Sequence, residues 1–439
     1  MIASAMASVL ALALSAQGAG GGSAARYPAA QTTTVDGLHV TTEHDAGSAL
    51  TGVQLFVSAG LARQTRLTSG VAALVAECVL RTPVNVPGGP RLPLRDGIAR
   101  LGGSLTYNLD ESSTHYYAEA QPQRMSAVLG LLAKALAAPD FSQATLADAR
   151  KTLLSRIDDS EKNPFRVGVQ MFRETFLEAG MAYPDFGSAT TVAALGPSSL
   201  SDFYTRTYRR GGLSATAIGD VTPDVTNAIG QLSRALPAGT VAPLRVAGRT
   251  LPASTTHIIA QRDVSRPFII VGFAAPSPGQ KDFGAMLVLE TLLSTAFGEG
   301  SATTLTLGER AVGALYLYDS SPASLVVYVN GGTGVDPVVA LHSIAAVTKR
   351  LADKPLGEDA IKRFKTTAEG EFVTSTTTLA DRSFLLGALA PGLGARSING
   401  ALDAIESVTA ADVQQASKTY LQRYVEAIVA PRQTPQNQS

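Results

Sequence analysis

The feature that most constrains the fold of this 439-residue chain is an internal duplication. Matching residues recur at a nearly constant separation: Gly70 and Gly284 are 214 residues apart, Gly103 and Gly313 are 210 apart, and Tyr208 and Tyr420 are 212 apart. Matches that keep the same order over such a length indicate two copies of one structural unit. The chain is therefore predicted to fold as two similar halves.

Each half contains the same predicted series of elements, which is a strand, a helix, a hairpin and a second helix. These are 53–60, 70–80, 98–120 and 124–136 in the first half, and 266–276, 284–294, 311–332 and 336–351 in the second. Further apolar periodicity predicts a helix over 143–159 and a strand over 213–218. Hairpins grouped with helices predict an α+β fold of two homologous domains, each a mainly antiparallel sheet packed with helices, and not a doubly wound parallel sheet.

The domain boundaries are predicted from composition. A segment rich in Pro, Gly, Ala and Thr, 236–256, is predicted to link a first domain over 33–235 to a second over 257–431. A polar tail follows at 432–439, and the four prolines within 82–94 predict a loop after the first helix.

The N-terminal segment 1–25 has no charged side chain, and its apolar run from Ala5 to Leu14 is followed by small residues. This pattern resembles a signal peptide without the usual basic start, and a plain Ala/Gly tail is the alternative. The run is too short to span a bilayer, which needs about 20 apolar residues. We therefore expect an exported protein, periplasmic or secreted, with no transmembrane segment in the mature chain.

Charge and side-chain counts exclude several functions. The 36 basic and 36 acidic residues balance, which argues against nucleic acid as a partner. The single cysteine, Cys78, allows no internal disulfide. Imidazole chemistry depends on five scattered histidines, which are His39, His44, His115, His257 and His342.

Several segments, taken in order, resemble the pitrilysin/insulinase superfamily of inverzincin peptidases, in the branch of mitochondrial processing peptidase and the cytochrome bc core subunits. The segments are VDGLHVTTEHDAGSALTGVQLFVSAG (35–60), SGVAALVAECVL (69–80), LGGSLTYNLDESSTHYYAEA (101–120), FYTRTYRRGGLSATAIGDV (203–221) and LETLLSTAFGEGSATTLTLGERAVGALYLYDSS (289–321). The resemblance covers roughly residues 33 to 431 and implies half of a peptidase clamshell.

The resemblance also implies where a zinc site would lie. Members of the family carry H-x-x-E-H on the first helix, where two histidines bind Zn²⁺ and the glutamate is the general base, and a distal Glu completes the site. Here Ala73 and Glu77 occupy the two His positions, Ala76 occupies the general-base position, and the distal Glu falls near Arg156. Asp158 or Glu161 could substitute for it, but one or two carboxylates do not make a zinc site. The resemblance therefore implies no catalytic residue, metal or other cofactor in this chain.

The remaining histidines and the cysteine are weak candidates. His39, Glu43 and His44 lie in a predicted strand and lack the spacing of a metal motif, so surface histidines are the simpler interpretation. His115, beside Tyr116 and Tyr117, favours cross-strand packing, and His257 and His342 have no carboxylate at ligand spacing. A buried apolar role is the default for Cys78, with a nucleophile as the alternative.

In the second half, active relatives use an Arg and a Tyr seven residues apart to hold the substrate carbonyl. Tyr316 aligns with that Tyr, and Arg310 is displaced by one residue from the Arg position. Gly298 and Gly300 lie in a shortened version of the family's glycine-rich loop. These four residues are predicted to contact peptide substrate; a packed Tyr and a simple connecting loop are the alternatives.

Two functions follow from the resemblance. The first is a non-catalytic subunit of a heterodimeric zinc peptidase, which forms the chamber wall and helps to bind peptide for a homologous zinc-bearing partner. The alternative is a structural core subunit of a cytochrome bc-type respiratory complex, which would place the chain at a membrane through that complex.

Overall fold

The computed structural model describes residues 27–251, 256–295, 312–320, 322–331 and 336–432. The predicted signal segment 1–25 and residues Gly298, Gly300 and Arg310 lie outside the described residues, as does most of the tail 432–439. Two large sheets pack against helices, which confirms the predicted α+β class.

The strands and helices alternate along the chain in groups. The strands are β1 (Gln31–Val35), β2 (Leu38–His44), β3 (Thr51–Val57), β4 (Pro83–Asn85), β5 (Arg91–Pro93), β6 (Ser104–Leu109), β7 (Thr114–Ala120), β8 (Leu213–Gly219), β9 (Thr256–Arg262), β10 (Phe268–Ala274), β11 (Val312–Leu317), β12 (Ser324–Asn330) and β13 (Tyr424–Pro431). The helices are α1 (Val71–Arg81), α2 (Leu94–Arg100), α3 (Pro122–Ala137), α4 (Gln143–Lys162), α5 (Pro164–Phe176), α6 (Ala189–Ala194), α7 (Pro197–Thr207), α8 (Pro223–Ala235), α9 (Phe283–Thr295), α10 (Pro337–Asp353), α11 (Glu358–Thr374), α12 (Leu379–Leu393), α13 (Ser397–Glu406) and α14 (Ala410–Tyr420).

The five strands of the second sheet follow the same order as five strands of the first when one of the two orders is reversed, and β1 is an additional edge strand of the first sheet. The first has the order β1-β2-β8-β3-β7-β6, and the second has the order β11-β12-β10-β13-β9. In both, a single parallel pair, β2 with β8 or β9 with β13, adjoins a run of antiparallel pairs. The matching strand order and direction agree with the duplication inferred from the residue offsets.

Most predicted elements form within a few residues of their predicted bounds, because each is a run of apolar residues with a clear period. The segment 82–94 differs from its prediction as a loop. It forms the short hairpin of β4 and β5, with Val84 opposite Leu92, and then enters α2. The prolines lie at hairpin positions where pairing of the two strands requires no backbone N–H donor. A proline-rich stretch can therefore still form a small sheet.

The two halves exchange one helix each. Helix α5 belongs to the first half but packs on β10 and β13 of the second sheet. Helix α12 belongs to the second half and packs on β3 and β8 of the first sheet. Each central strand is therefore covered on both faces, which explains why β3 and β10 are buried along nearly their whole length rather than on alternate residues.

Close approach of the exchanged helices depends on glycine. A Cβ atom on Gly387 of α12 would lie 2.3 Å from the ring of Phe56 on β3. In the second sheet, a Cβ on Gly272 of β10 would lie 2.2 Å from the Phe172 ring of α5. The Thr216 hydroxyl of β8 also donates to the Ser383 carbonyl at 2.7 Å. The halves are thus joined by close packing and not by a linker alone.

Candidate functional site

Helix α1 bears the positions that align with the zinc motif, and its start is fixed by local contacts. Gly70 has a φ of 97°, in the left-handed region that favours glycine. The Gln64 side-chain oxygen accepts from the N–H groups of Gly70 at 2.9 Å and Ala72 at 3.1 Å. A side-chain acceptor thereby satisfies the free donors at the helix start.

The three motif positions on α1 are closed off from solvent. Ala73, Ala76 and Glu77 each have a relative exposure of 0%. The methyl groups of the two alanines have no ligating atom, so only Glu77 carries chemistry here. A charged carboxylate that is fully buried requires compensating partners.

Basic residues supply that compensation. Arg81, one turn later on α1, forms an ion pair with Glu77 Oε2 and donates to Thr152 Oγ1 at 2.7 Å. Arg156 Nη1 lies 3.2 Å from Glu77 Oε1, and the more exposed Arg95 on α2 lies 4.0 Å from Oε2. Three guanidinium groups therefore surround one buried carboxylate.

Tyr107 on β6 completes the cluster. Its hydroxyl donates to Glu77 Oε1 at 3.0 Å and accepts from Arg156 Nη1 at 2.8 Å. The Arg156 guanidinium lies 5.3 Å from the centre of the Tyr107 ring and 5.5 Å from that of Phe186, within cation–π range. Burial, reinforced by the Glu77 charge, holds the pKa of Tyr107 well above its usual value, so the phenol stays a proton donor.

The predicted positions are brought together in space. Arg156 lies on α4, 79 residues after Glu77, and was aligned with the distal metal ligand only through the resemblance. In the structure it contacts Glu77 directly. Where the family would have a carboxylate and an imidazole facing one cation, this chain has a guanidinium facing a carboxylate.

This arrangement does not fit Zn²⁺. A guanidinium has only N–H donors and no lone pair for a metal. Glu77 is already engaged by Arg81, Arg156 and Tyr107. Among the described residues, no group of three or more His, Cys, Asp or Glu side chains is arranged to hold a metal ion.

The carboxylates considered as substitute ligands lie elsewhere. Asp158 is exposed and forms an ion pair with Lys162 at 2.6 Å. Glu161 is also exposed on the last turn of α4. No contact joins either of them to Glu77 in the part of the chain that the structure describes.

Cys78 follows Glu77 on α1 and is fully buried. Burial raises the pKa of its thiol to about 12, against a smaller opposing effect of Arg81. The thiol is therefore protonated and inaccessible, which agrees with the apolar role and not with a nucleophile.

The histidine predictions have mixed outcomes. His39 and His44 are exposed on β2, while Glu43 between them is buried and pairs instead with Arg382 of α12. His257 has a carboxylate partner that spacing could not reveal, because Glu426 lies opposite it in the β9–β13 ladder, 2.5 Å from its Nδ1. His115 packs against the rings of Phe56 and Phe384.

Tyr316, the described member of the predicted substrate-binding set, is 3% exposed. Its hydroxyl donates to the Pro276 carbonyl, and its N–H donates to Glu290 Oε1 at 2.9 Å. Binding of a substrate carbonyl by Tyr316 stays a prediction and would require its hydroxyl to leave Pro276.

Apart from Arg156, sequence reasoning missed the partners of Glu77, which are Arg81, Arg95 and Tyr107. Arg81 had a usable signal, because an acid followed by a base four residues later is a favoured helix pair. No sequence signal identifies Tyr107 and Arg95 as partners of Glu77, or Glu290 as the partner of Tyr316. These contacts depend on packing between separate elements.

Comparison with known proteins places this geometry in a family context. The model of the family described as "Insulinase (Peptidase family M16)" matches residues 39–185. This match lies within the first half of the chain. The match spans both α1 and Arg156, so the Glu77 cluster lies within the M16-like region. No match was found among curated protein sequences.

Solved structures extend the M16 likeness over most of the chain. The inactive domain of a peptidase M16 from Pseudomonas fluorescens is 16% identical, with a TM-score of 0.77, and the alignment covers 92% of this chain and 98% of that one. A protease from Helicobacter pylori is 13% identical, with a TM-score of 0.80, over 92% of this chain and 100% of that one. A protein described as an M16-like peptidase from Alicyclobacillus acidocaldarius is 15% identical, with a TM-score of 0.75, over 93% and 100%. The chain thus has an M16 peptidase-like fold.

Proposed function

We propose that this chain is a non-catalytic subunit of a two-chain zinc peptidase, which forms a wall of the chamber and helps to bind peptide for a homologous, zinc-bearing partner. The observation that carries the proposal is the Glu77–Arg156 contact at positions aligned with metal ligands. A cation-binding site has been replaced by an internal ion pair while the surrounding fold is kept.

The proposal is supported by the chemistry of the replacement. Without a Zn²⁺ ion, a buried carboxylate at this site would carry an uncompensated charge. Here Arg81 and Arg156 supply the positive charge, so the domain can stay folded without metal. A chain that keeps the M16-like fold but lacks the ligands is suited to binding and assembly rather than to hydrolysis.

The organisation of the chain belongs to the same proposal. We assign domains to 33–235 and 257–431, joined by 236–256, because each of these ranges contains one of the two sheets of matching order. We assign the protein to the periplasm or the cell exterior on the basis of the signal-like residues 1–25. In the part of the chain that the structure describes, no helix has both the length and the hydropathy needed to cross a bilayer.

A reconstitution experiment tests the function. The chain is produced alone and together with an M16 homologue from the same source that contains H-x-x-E-H, and each sample is given an internally quenched peptide. We expect cleavage only when both chains are present. Replacing the general-base Glu of the homologue with Gln should abolish cleavage by the pair, and a chelator should do the same.

Three results would contradict the proposal. One is chelator-sensitive cleavage by this chain alone. Another is one tightly bound equivalent of zinc in the purified chain, measured by atomic emission. The third is a homologue that is equally active without this chain. Co-purification with cytochromes b and c, without any peptidase homologue, would instead support the respiratory-complex alternative.

A further inference from the structure

A cavity of about 570 Å³ lies where the two halves meet, away from the Glu77 cluster. Its walls come from the ends of β3 and β8, the β6–β7 turn, the β11–β12 turn and helix α12. A volume in this range is typical of small-molecule and side-chain binding pockets. Because both halves contribute, the cavity exists only in the assembled fold.

Aromatic rings form part of the walls. Phe56 from β3, Phe384 from α12 and Tyr318 from the second half all line the space. The His115 ring contacts both Phe56, at 4.9 Å between centroids, and Phe384, at 5.0 Å, and these two rings also contact each other. Aromatic faces of this kind attract organic cations.

Among the described residues, two carboxylates line the cavity, Asp110 and Asp319. Asp110 Oδ1 accepts from the N–H groups of Ser112 and Ser113, both at 2.6 Å, and Oδ2 accepts from the Ser113 hydroxyl at 3.0 Å. Asp110 also faces His115 Nε2 at 2.6 Å. Although burial opposes it, these contacts hold the pKa of Asp110 below its usual value.

Asp319 lies on the β11–β12 turn across the cavity. Its partial burial, with the like charges of Asp110 and Glu111 nearby, raises the pKa of this carboxyl to about 6. A carboxylate in such surroundings is stabilised by any cation that enters, because the cation offsets both effects.

His115 supplies an independent signal for a ligand. The side chain is 3% exposed, and its Nδ1 has no hydrogen-bond partner among the residues that the structure describes. Because Nε2 faces the carboxylate of Asp110, the proton of the neutral ring belongs on Nε2. Nδ1 is then a buried acceptor without a donor, which is costly unless a ligand supplies an N–H.

We propose that this cavity binds an organic cation with N–H donors, an ammonium or guanidinium group on an extended stem, through the Asp319 carboxylate, His115 Nδ1 and the aromatic walls. A lysine or arginine side chain of a peptide and a free polyamine share this chemistry. The proposal does not depend on the role in a zinc peptidase, since the site lies wholly within this chain.

Calorimetric titration of the full chain tests the proposal with three probes. They are the blocked peptide acetyl-Ala-Lys-Ala-amide, its norleucine counterpart, which lacks the charge, and spermidine. We expect saturable binding of the lysine peptide with a Kd at least about tenfold below that of the norleucine peptide. Tighter binding of spermidine than of the lysine peptide would assign the site to polyamines rather than to peptides.

Two variants locate the binding. Asp319→Asn keeps the shape of the side chain but removes the charge, and we expect it to weaken cation binding by about tenfold or more. Asp148→Asn, on the exposed surface of α4, is the matched control and should leave the Kd unchanged. Circular dichroism of each variant verifies that it is folded.

A second pair of measurements addresses His115. His115→Phe keeps a ring against Phe56 and Phe384 but removes the Nδ1 acceptor, so binding should weaken while the helical signal is kept. The proposal is overturned if the lysine and norleucine peptides bind equally, if folded Asp319→Asn binds as tightly as the unaltered chain, or if neither the lysine peptide nor spermidine binds.

Discussion

Two partly or fully buried glutamates occupy related places in the two halves and have opposite surroundings. Glu77 lies on α1, and Glu290 lies 213 residues later on α9, within the 210–214 offsets of the duplication. Glu77 contacts Arg81 and Arg156. The described surroundings of Glu290 hold instead the N–H of Tyr316 and the like charges of Glu371 and Asp319.

The two carboxyl groups differ in their partners. Burial raises the pKa of Glu290 to about 8, and Glu371 adds to this, while the Tyr316 N–H opposes it. Glu77 instead contacts the guanidinium groups of Arg81 and Arg156. The duplicated helix therefore keeps a glutamate in both halves. Among the described residues, arginine side chains contact Glu77, in the half that aligns with the zinc site, but not Glu290.

The largest expected effect is that of Glu77→Gln. Removal of this charge leaves Arg81 and Arg156 facing a neutral group inside the protein, so we expect the free energy of unfolding to fall by about 3–5 kcal/mol. Urea unfolding followed by circular dichroism near neutral pH measures it. The exposed Glu178→Gln is the control, expected within about 0.5 kcal/mol of the unaltered chain. A loss below about 1 kcal/mol for Glu77→Gln would contradict the role of the ion pairs.

Glu290→Gln should act in the opposite direction. The pKa of Glu290 is raised from 4.5 to about 8 in the folded chain. Below about pH 4.5 the carboxyl is protonated in both the folded and the unfolded chain. Between about pH 4.5 and 8 it is protonated mainly in the folded chain, so the free energy of unfolding falls as the pH rises through this range. At about 1.4 kcal/mol per pKa unit, the full shift would correspond to about 5 kcal/mol at about pH 9. Because Glu290 is only partly buried, we expect the variant to gain about 3 kcal/mol there and less than about 1 kcal/mol at about pH 5.

The same unfolding assay, repeated across this pH range, checks the sign. A variant that is equally stabilised at both ends of the range would show that Glu290 is not the titrating group. If Glu290→Gln is destabilising at every pH, Glu290 must have a cationic partner, and the comparison with Glu77 would fail.

Within the Glu77 cluster, Arg156 and Arg95 should differ. Arg156 contacts Glu77, Tyr107 and the Phe186 ring, whereas Arg95 lies 4.0 Å from Glu77 and its side chain is 48% exposed. We expect Arg156→Ala to cost about 2 kcal/mol and Arg95→Ala less than about 0.5 kcal/mol. Equal costs would mean that the cluster acts as a diffuse positive field and not through specific contacts.

The smallest effect concerns the reactivity of Cys78. Because its thiol is buried with a pKa of about 12, we expect negligible labelling by a thiol reagent at neutral pH in the folded chain. Glu77→Gln should increase the labelling rate, since it weakens the contacts that keep α1 closed. Rapid labelling of the unaltered chain would show that α1 opens readily, and that the Glu77 contacts do not hold it.

Much of the fold could be predicted from the sequence, because the signals are local. The run 53–57 was predicted as a strand and forms β3, and the segments 70–80 and 143–159 were predicted as helices and form α1 and α4. The prediction of 82–94 as a loop was wrong, because prolines mark turns in general and do not exclude a short edge hairpin.

The candidate sites were predictable only in part. Loss of the zinc ligands was visible at Ala73, Ala76 and Glu77, since spacing on one helix decides which side chains share a face. The contacts of Glu77 with Tyr107, and of His115 with Phe384, depend on elements that are distant in the sequence. No periodicity encodes such contacts.

The sequence by itself determined the duplication, the α+β class and the absence of imidazole at the aligned positions, because these follow from residue identity and from short-range backbone preference. Tertiary structure decided that Arg156 meets Glu77, that α5 and α12 are exchanged between halves, and that the halves enclose a cavity lined by Asp319 and His115. The physical reason is that side-chain electrostatics act over a few ångströms in space, and only packing brings residues so distant in the chain that close.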